Sequence, residues 1–217
     1  MYKENPQMSE SLPVGILLAL SGGMMDAYSY IGRGHVFANA QTGNILLLGI
    51  SLSQGQWGEC LRYVCPVAAF IAGIALSNVV RNWKRQSRLH WRQVVVLVEA
   101  LIMVPAAFLP QSLNLLANSL ISFSCGMQVE TFQKIQGNNM ATTMCIGNLR
   151  SATHSISDCC FTKDTKDLYK GLLYLLIIVM FAAGAVVGSI GIGLWSEKAI
   201  LMSSFLILIC FFIMLKK

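Results

Sequence analysis

Composition places this chain among membrane proteins. It has 217 residues, of which 55% are hydrophobic and 12% are charged, and its mean hydropathy is +0.60. These values exclude an ordinary soluble domain, and the length leaves room for about six to eight membrane crossings. The formal charge of +6 does not indicate nucleic-acid binding, because five basic residues fall in the short loop 81–92 between two apolar runs. We therefore expect a function within the membrane or at its rim, and no nucleic-acid partner.

Six segments are predicted to be membrane-spanning helices, which need about 20 mainly apolar residues. In chain order they are Leu12–Ile31, Tyr63–Val80, Val94–Leu109, Leu113–Phe132, Leu172–Leu194 and Ala199–Leu215. Two further segments, Val36–Ser53 and Met140–Ile156, are ambiguous. The first opens with a run of polar residues, and the second contains an Arg and a His that are costly at the centre of a bilayer.

The distribution of basic residues favours six crossings over eight. If both ambiguous segments are re-entrant and the loop 81–92 is cytoplasmic, thirteen of the sixteen Lys and Arg residues lie inside, and Arg33, Arg62 and Lys198 lie outside. If both segments cross fully, the same residues divide eight and eight. Short cytoplasmic loops carry an excess of Lys and Arg, so the first arrangement fits better. It predicts an all-α integral membrane protein with six transmembrane helices, two re-entrant segments and cytoplasmic N- and C-termini.

Three pairs of similar motifs indicate that the chain is a duplicated unit. In the first pair, Gly22-Gly23 corresponds to Gly126. In the second, Thr42-Gly43-Asn44 corresponds to Ile146-Gly147-Asn148. In the third, Phe70-Ile71-Ala72-Gly73 corresponds to Phe181-Ala182-Ala183-Gly184. The repeats cover about 12–109 and 113–215, and together form a single membrane domain. Because each repeat has an odd number of crossings, the second inserts upside down relative to the first. Such an inverted repeat is the plan of many secondary transporters.

The polar and glycine residues of these motifs are candidates for a binding site and its hinges. Non-helical backbone at membrane depth must be buried in protein or line a wet cavity, and amide side chains there can cap a helix or contact a ligand. The candidate hinges are Gly22, Gly23, Gly43, Gly126 and Gly147. The candidate binding residues are Asn39, Gln41, Thr42, Asn44, Gln128 and Asn148. The alternative is that Asn44 and Asn148 only satisfy local backbone groups.

Asp26 is the sharpest single candidate for binding a solute or an ion. A carboxylate on an apolar helix is costly unless it faces a cavity or a partner, and Ser29 and Tyr30 are near enough in sequence to interact with it. We include Tyr30 among the binding candidates. The alternative is that Asp26 accepts hydrogen bonds from the backbone of the following loop. Glu99, in the third apolar segment, is a second carboxylate that can relay protons or bind a cation.

No motif indicates an enzyme or a metal centre. The seven cysteines form no CxxC pair and no His-spaced ligand set. The sequence has no phosphate loop of the form Gly-x-x-x-x-Gly-Lys-Ser/Thr, no HExxH and no GxSxG. We therefore predict no cofactor, no metal and no catalytic residue.

The longest motif resembles a family signature. Gly22-Gly23, Asp26-Ala27-Tyr28 and the stretch 36–44 are similar to the opening signature of the YoaK-type family, bacterial inner-membrane proteins catalogued as a domain of unknown function. The stretch 126–128, Thr142-Thr143 and Gly147 resemble its second signature, from which Val129 and Ile146 depart. The resemblance covers nearly the whole chain. It implies a multispan protein of the bacterial cell membrane and no particular substrate.

These features favour a secondary transporter or exporter of a small polar solute, coupled to protons through Asp26 or Glu99. The alternatives are a non-catalytic membrane interaction or sensory protein and, with less support, an intramembrane enzyme. The partners we expect are the lipid bilayer and an unidentified small solute. The small residues Gly184 and Gly188, continued by Gly191 and Gly193, predict a helix-packing face that can also serve as a homodimer surface.

Overall fold

The computed structural model describes residues 8–83 and 90–215. Both termini, and therefore their predicted cytoplasmic location, lie outside the described residues, as does the middle of the basic loop 81–92. The described residues form eight α-helices: α1 (Leu12–Ala27), α2 (Gln41–Ser53), α3 (Trp57–Trp83), α4 (Trp91–Ala106), α5 (Asn114–Thr131), α6 (Cys145–Thr162), α7 (Thr165–Trp195) and α8 (Ile200–Leu215). A π-helical turn, Tyr28–Gly32, extends α1.

The remaining regular structure is short. Three 3-10 segments cover Met8–Glu10, Gln111–Leu113 and Ser196–Ala199. Two strands, β1 (Lys134–Ile135) and β2 (Asn138–Asn139), pair antiparallel in a hairpin between α5 and α6. The prediction of an all-α fold is therefore confirmed, with this hairpin as the one strand pair among the described residues.

Three segments of the described chain are long and apolar enough to cross a membrane. They are Leu12–Gly32, Trp57–Trp83 and Thr165–Leu215, and the last of these contains both α7 and α8. Helix α4 has 16 residues, fewer than a full span needs, and α5 carries several amide and hydroxyl side chains. The two ambiguous segments each divide into a loop followed by a helix, α2 in the first and α6 in the second.

Helix boundaries follow local side-chain chemistry. Pro13 lies in the first turn of α1, where a missing N–H costs nothing. The Asp164 carboxylate accepts the backbone N–H of Lys166 at 2.9 Å and caps α7. At the start of α4 the Nδ1 atom of His90 accepts the backbone N–H of Arg92. Burial, together with the charge of Arg92, lowers the pKa of His90, which keeps the ring neutral and able to accept this bond.

Glycines allow helix backbones to touch at two crossings. Helix α1 packs on α7, where a Cβ on Gly23 would overlap the carbonyl oxygen of Phe181 and a Cβ on Gly184 would overlap that of Leu20. Helix α5 packs on α3 in the same way: Gly126 faces the carbonyl oxygen of Phe70, and Gly73 faces that of Phe123. The first and third helices of the two predicted repeats thus meet in two equivalent pairs, α1 with α7 and α5 with α3.

One end of the bundle gathers basic side chains, and we call it the Arg92 end. The Arg92 guanidinium pairs with Glu10 at 3.1 Å, and Arg81 of α3 pairs with Glu130 of α5 at 3.3 Å. The Gln93 side chain donates to the carbonyl oxygen of Met214 at 2.6 Å. The starts of α1 and α4 therefore meet the ends of α3, α5 and α8 at this end.

At the opposite end of the bundle, which we call the Arg33 end, one guanidinium group is buried. Arg33 is 1% exposed and donates to the carbonyl oxygens of Ala106, Leu109 and Pro110, at 3.0, 2.8 and 3.3 Å. It also donates to the hydroxyl of Tyr28 and the side-chain oxygen of Asn114. These carbonyls lie at and just after the C-terminus of α4, where a cation is favoured.

The bundle buries polar side chains within its core and exposes apolar side chains along its long helices. Buried polar groups include Ser21, whose hydroxyl meets that of Ser203, as well as Glu99, Asn118 and Gln128. The exposed side chains of the long helices are largely apolar, as at Ile71, Val79, Val186, Ile190 and Phe205. This distribution would be unfavourable in water, and suits a helix bundle surrounded by lipid.

We expect substitution of Gly184 by Val to destabilise the protein, because the added side chain forces α1 away from α7. The expected loss is about 1–3 kcal/mol or more, the usual range for overpacking. Gly193, on the same helix with no atom within 4 Å of a Cβ, provides the matched control. Thermal unfolding in detergent should show a lower Tm for Gly184→Val than for Gly193→Val. Equal Tm values would show that the crossing does not hold the fold.

Candidate functional site

The chain between α1 and α2 folds back into the bundle and is held there by Asp26. The Oδ1 atom of this carboxylate accepts the backbone N–H groups of Ala38 and Asn39, both at 2.8 Å. The Asn39 side chain donates in turn to the carbonyl oxygen of Gly22 at 3.1 Å. Asp26 therefore anchors the loop, which was one of the two roles considered for it from the sequence.

Asn44 and Asn148 perform the same local task in the two halves. The Nδ2 of Asn44 donates to the carbonyl oxygen of Phe37 at 2.7 Å, and that of Asn148 donates to the carbonyl oxygen of Ala141 at 2.6 Å. In each case the acceptor lies seven residues before the asparagine. Each asparagine, in the first turns of its helix, thus ties the preceding loop to that helix.

The second loop is held by an amide instead of a carboxylate. Gln128 of α5 donates to the hydroxyl of Thr142 at 2.9 Å and to the carbonyl oxygen of Leu18 at 3.1 Å. Leu18 belongs to α1, so this side chain links both halves of the bundle. The two loops are therefore held by different anchors.

The N-terminal ends of α2 and α6 meet at a cavity of about 560 Å³. Both loops and both helix starts contribute to its wall. The polar lining residues are Asp26, Asn39, Gln41, Thr42, Thr143 and Cys145. The remaining lining residues are Ala40, Phe70, Met144, Ile146, Gly147 and Phe181. Phe70 and Phe181, from the matching motifs of α3 and α7, place one aromatic ring from each half against the cavity.

Two buried oxygen atoms at the cavity have no hydrogen-bond partner among the described residues. They are Oδ1 of Asn39, a residue 7% exposed, and Oγ1 of Thr143, a residue 5% exposed. Asn39 lies five residues before Asn44, and Thr143 lies five residues before Asn148, so they occupy equivalent places. Buried polar atoms are almost always satisfied, so each of these two oxygens calls for a partner that the described residues do not supply.

The comparison with known families agrees with the membrane architecture. The family described as "Protein of unknown function (DUF1275)" matches residues 14–213. The chain belongs to this family. It is also similar to UPF0700 transmembrane protein YoaK of Bacillus subtilis (strain 168), with 27% identity over 181 residues that cover 79% of each chain. No solved structure matches the chain. The protein is thus a transmembrane protein, as its exposed apolar helices also indicate.

Some of the predicted site residues line the cavity and others support it. The predicted binding residues in its wall are Asp26, Asn39, Gln41 and Thr42. Outside the wall, Asn44, Gln128 and Asn148 hold the loops by hydrogen bonds. Among the predicted hinges, Gly23 and Gly126 are helix contacts, Gly22 faces Thr143, Gly43 lies against the Phe37 ring, and Gly147 lines the cavity.

Tyr30 and Glu99 lie apart from the cavity wall. The Tyr30 ring is 40% exposed and stacks on Phe37 at a centroid distance of 4.8 Å. Glu99 is fully buried in α4, and neither carboxyl oxygen has a hydrogen-bond partner among the described residues. Such a group is tolerated in an apolar interior as the neutral acid.

The residues of the cavity wall that the sequence prediction of the site missed include Phe70, Thr143, Cys145 and Phe181. The two phenylalanines were part of a recognised repeat motif, which was used only as evidence that the chain is duplicated. Their identical spacing to a crossing glycine, Phe70 to Gly73 and Phe181 to Gly184, is the signal that could have identified them.

We expect Asp26→Ala to destabilise the protein more than Asp26→Asn. Alanine removes the acceptor of both loop N–H groups, whereas asparagine keeps an oxygen at that place. Hydrogen bonds to charged groups contribute about 1.5–3 kcal/mol, so Asp26→Ala should lose several times more stability than Asp26→Asn. Thermal unfolding in detergent measures both. Indistinguishable Tm values would mean that the carboxylate does not anchor the loop.

Proposed function

We propose that this protein is a secondary transporter of a small polar solute, with the cavity between its two loops as the binding site. The observation that carries the proposal is that two equivalent loops, one from each half of a transmembrane protein, meet at one cavity. Transporter sites commonly lie where discontinuous helices of two repeats converge. In alternating access, such a site is exposed to one face of the membrane at a time.

The arrangement that we propose for the two halves is an inverted repeat of about 12–109 and 113–215. The equivalent crossings of α1 on α7 and α5 on α3 support it, because each joins the first helix of one repeat to the third of the other. The cavity then lies on the axis that relates the repeats. Rocking one repeat against the other would expose it alternately to each side.

The proposed topology has six crossings and two re-entrant segments. The first loop leaves from the Arg33 end, and α2 leads back towards it, where Arg62 of α3 donates to the carbonyl oxygen of Gly34 at 2.6 Å. The second loop follows the β hairpin, and Tyr169, near the start of α7, donates to the side chain of Gln136 in that hairpin. Each loop thus enters and returns on one side, and the two sides are opposite.

We place the Arg92 end in the cytoplasm. It gathers Arg81, Arg92 and Lys134, whereas the side chains of Arg33 and Arg62 at the other end donate to backbone carbonyl oxygens. The positive-inside rule favours the basic end in the cytoplasm. Glu99 is the candidate for carrying the coupled proton, because its unpartnered carboxyl group is stable in the interior only when neutral.

A compartment-sensitive reporter fused after Lys217 should report a cytoplasmic C-terminus. A second fusion near Asp164 should give the same location, because both positions lie on the same side with six crossings. Alkaline phosphatase and green fluorescent protein fusions, compared at each position, make the measurement. Two external locations would indicate eight full crossings and would contradict the re-entrant segments.

Alternating access can be tested on the native thiol of Cys145. We expect a membrane-impermeant maleimide to label it in both right-side-out and inside-out vesicles, because the cavity opens to each side in turn. Cys160, exposed near the other end of the same helix, is the matched control and should react from one side alone. Peptide mass spectrometry of the wild-type protein measures the extent of labelling of both cysteines in the same sample. Labelling of Cys145 from a single side would contradict the transporter proposal.

A further inference from the structure

We infer that the cavity selects a small organic ammonium ion, with its charged group at Asp26 and its apolar body between Phe70 and Phe181. This inference rests on the proposed function, since it names the class of solute for the same site. The polar atoms left free by the fold, the charge of the wall and its aromatic residues each support it.

The two buried side-chain atoms of the cavity-lining residues that lack a partner are oxygens. The Asn39 amide is oriented by its Nδ2, which donates to the carbonyl oxygen of Gly22, so its unpartnered Oδ1 is left as an acceptor. The hydroxyl oxygen of Thr143 is the second unpartnered atom. The amide oxygen and the carboxylate only accept hydrogen bonds, and the hydroxyl can accept one as well, so a ligand with several donors suits all three. An ammonium group brings up to three donors.

The start of α2 presents less positive character than a free helix N-terminus would. At the start of α2, the N–H of Gln41 already donates to the carbonyl oxygen of Asn39, and the N–H of Gly43 donates to that of Ala40, both at 2.8 Å. The N–H groups of Ala38 and Asn39 are taken by Asp26. These bonds use the donors that would otherwise attract an anion.

Asp26 is the one charged residue in the cavity wall among the described residues. The ion pairs of the described chain involve other carboxylates, so Asp26 has no cationic side chain as a counter-ion. A carboxylate in a largely apolar wall is stabilised by a positively charged ligand. Two aromatic rings, Phe70 and Phe181, are available for cation–π contact and for the apolar part of the ligand.

A matched set of three probes can test the charge preference. Benzylammonium, benzyl alcohol and benzoate share one ring and differ mainly in charge. Each is added at neutral pH while the labelling rate of Cys145 by maleimide is followed in wild-type protein. We expect benzylammonium to slow the labelling of Cys145 and to leave that of Cys160 unchanged, because Cys145 lies in the cavity wall. Benzyl alcohol and benzoate should give no protection.

Two variants assign the protection to the proposed contacts. Asp26→Asn keeps the loop acceptor and removes the charge, so the concentration of benzylammonium that gives half-protection should rise about tenfold or more. Asp158→Asn, which removes a partly exposed carboxylate of α6 outside the cavity, should leave it unchanged. Thr143→Val removes an oxygen that bonds nothing in the fold, so a purely structural role predicts unchanged protection, whereas ligand contact predicts a loss.

The other outcomes would overturn this inference and would leave the proposed function unaffected. Protection by benzoate would make the cavity an anion site, equal protection by benzyl alcohol would make it an uncharged apolar site, and no protection by any probe would exclude this ligand class. Unchanged benzylammonium protection in Asp26→Asn would also overturn it. The transporter proposal is judged separately, by whether Cys145 is labelled from both sides in the absence of any probe.

Discussion

Direct backbone contact at two glycine crossings is the constraint on which the rest of this structure depends. Between helices in a bilayer the hydrophobic driving force is weak, so close packing of small residues holds the bundle. Gly23 and Gly184 provide it for α1 and α7, and Gly73 and Gly126 provide it for α5 and α3. Each crossing lies just before the end of the helix that leads into a loop. The crossings therefore decide where the two loops meet.

The polar groups of the cavity wall that are available for binding are those that do not hold the two loops in place. Irregular backbone inside a bundle needs partners for its N–H and C=O groups, and here Asp26, Asn44, Gln128 and Asn148 supply them. Most of the polar atoms near the cavity are used in this way. Asn39 shows the division within one side chain, since its nitrogen holds α1 and its oxygen has no partner among the described residues.

The sequence predicted the parts of the fold that depend on local pattern. Apolar length located the long helices, and the polar run around Asn44 marked the loop before α2, because polar residues in an apolar segment need a structural reason. The environment of Arg33 could not be predicted from local pattern. Arg33 was counted as an external charge, yet it is buried and bonded to carbonyls more than seventy residues away, a contact that only the tertiary structure creates. The Phe70 and Phe181 rings were missed for the same reason, since two distant helices bring them together.

One difference between the two predicted repeats determines the charge of the cavity wall. Asp26 lies three residues after the crossing glycine Gly23, and Val129 lies three residues after Gly126, its counterpart. The second loop is held by the neutral side chain of Gln128, so the cavity wall carries one carboxylate where full symmetry would give two. Two carboxylates at close range would share a proton or favour a divalent ion. One carboxylate in a wall that also carries two aromatic rings matches a single positive charge, while the corresponding pairs Asn39 with Thr143 and Phe70 with Phe181 shape the space around it.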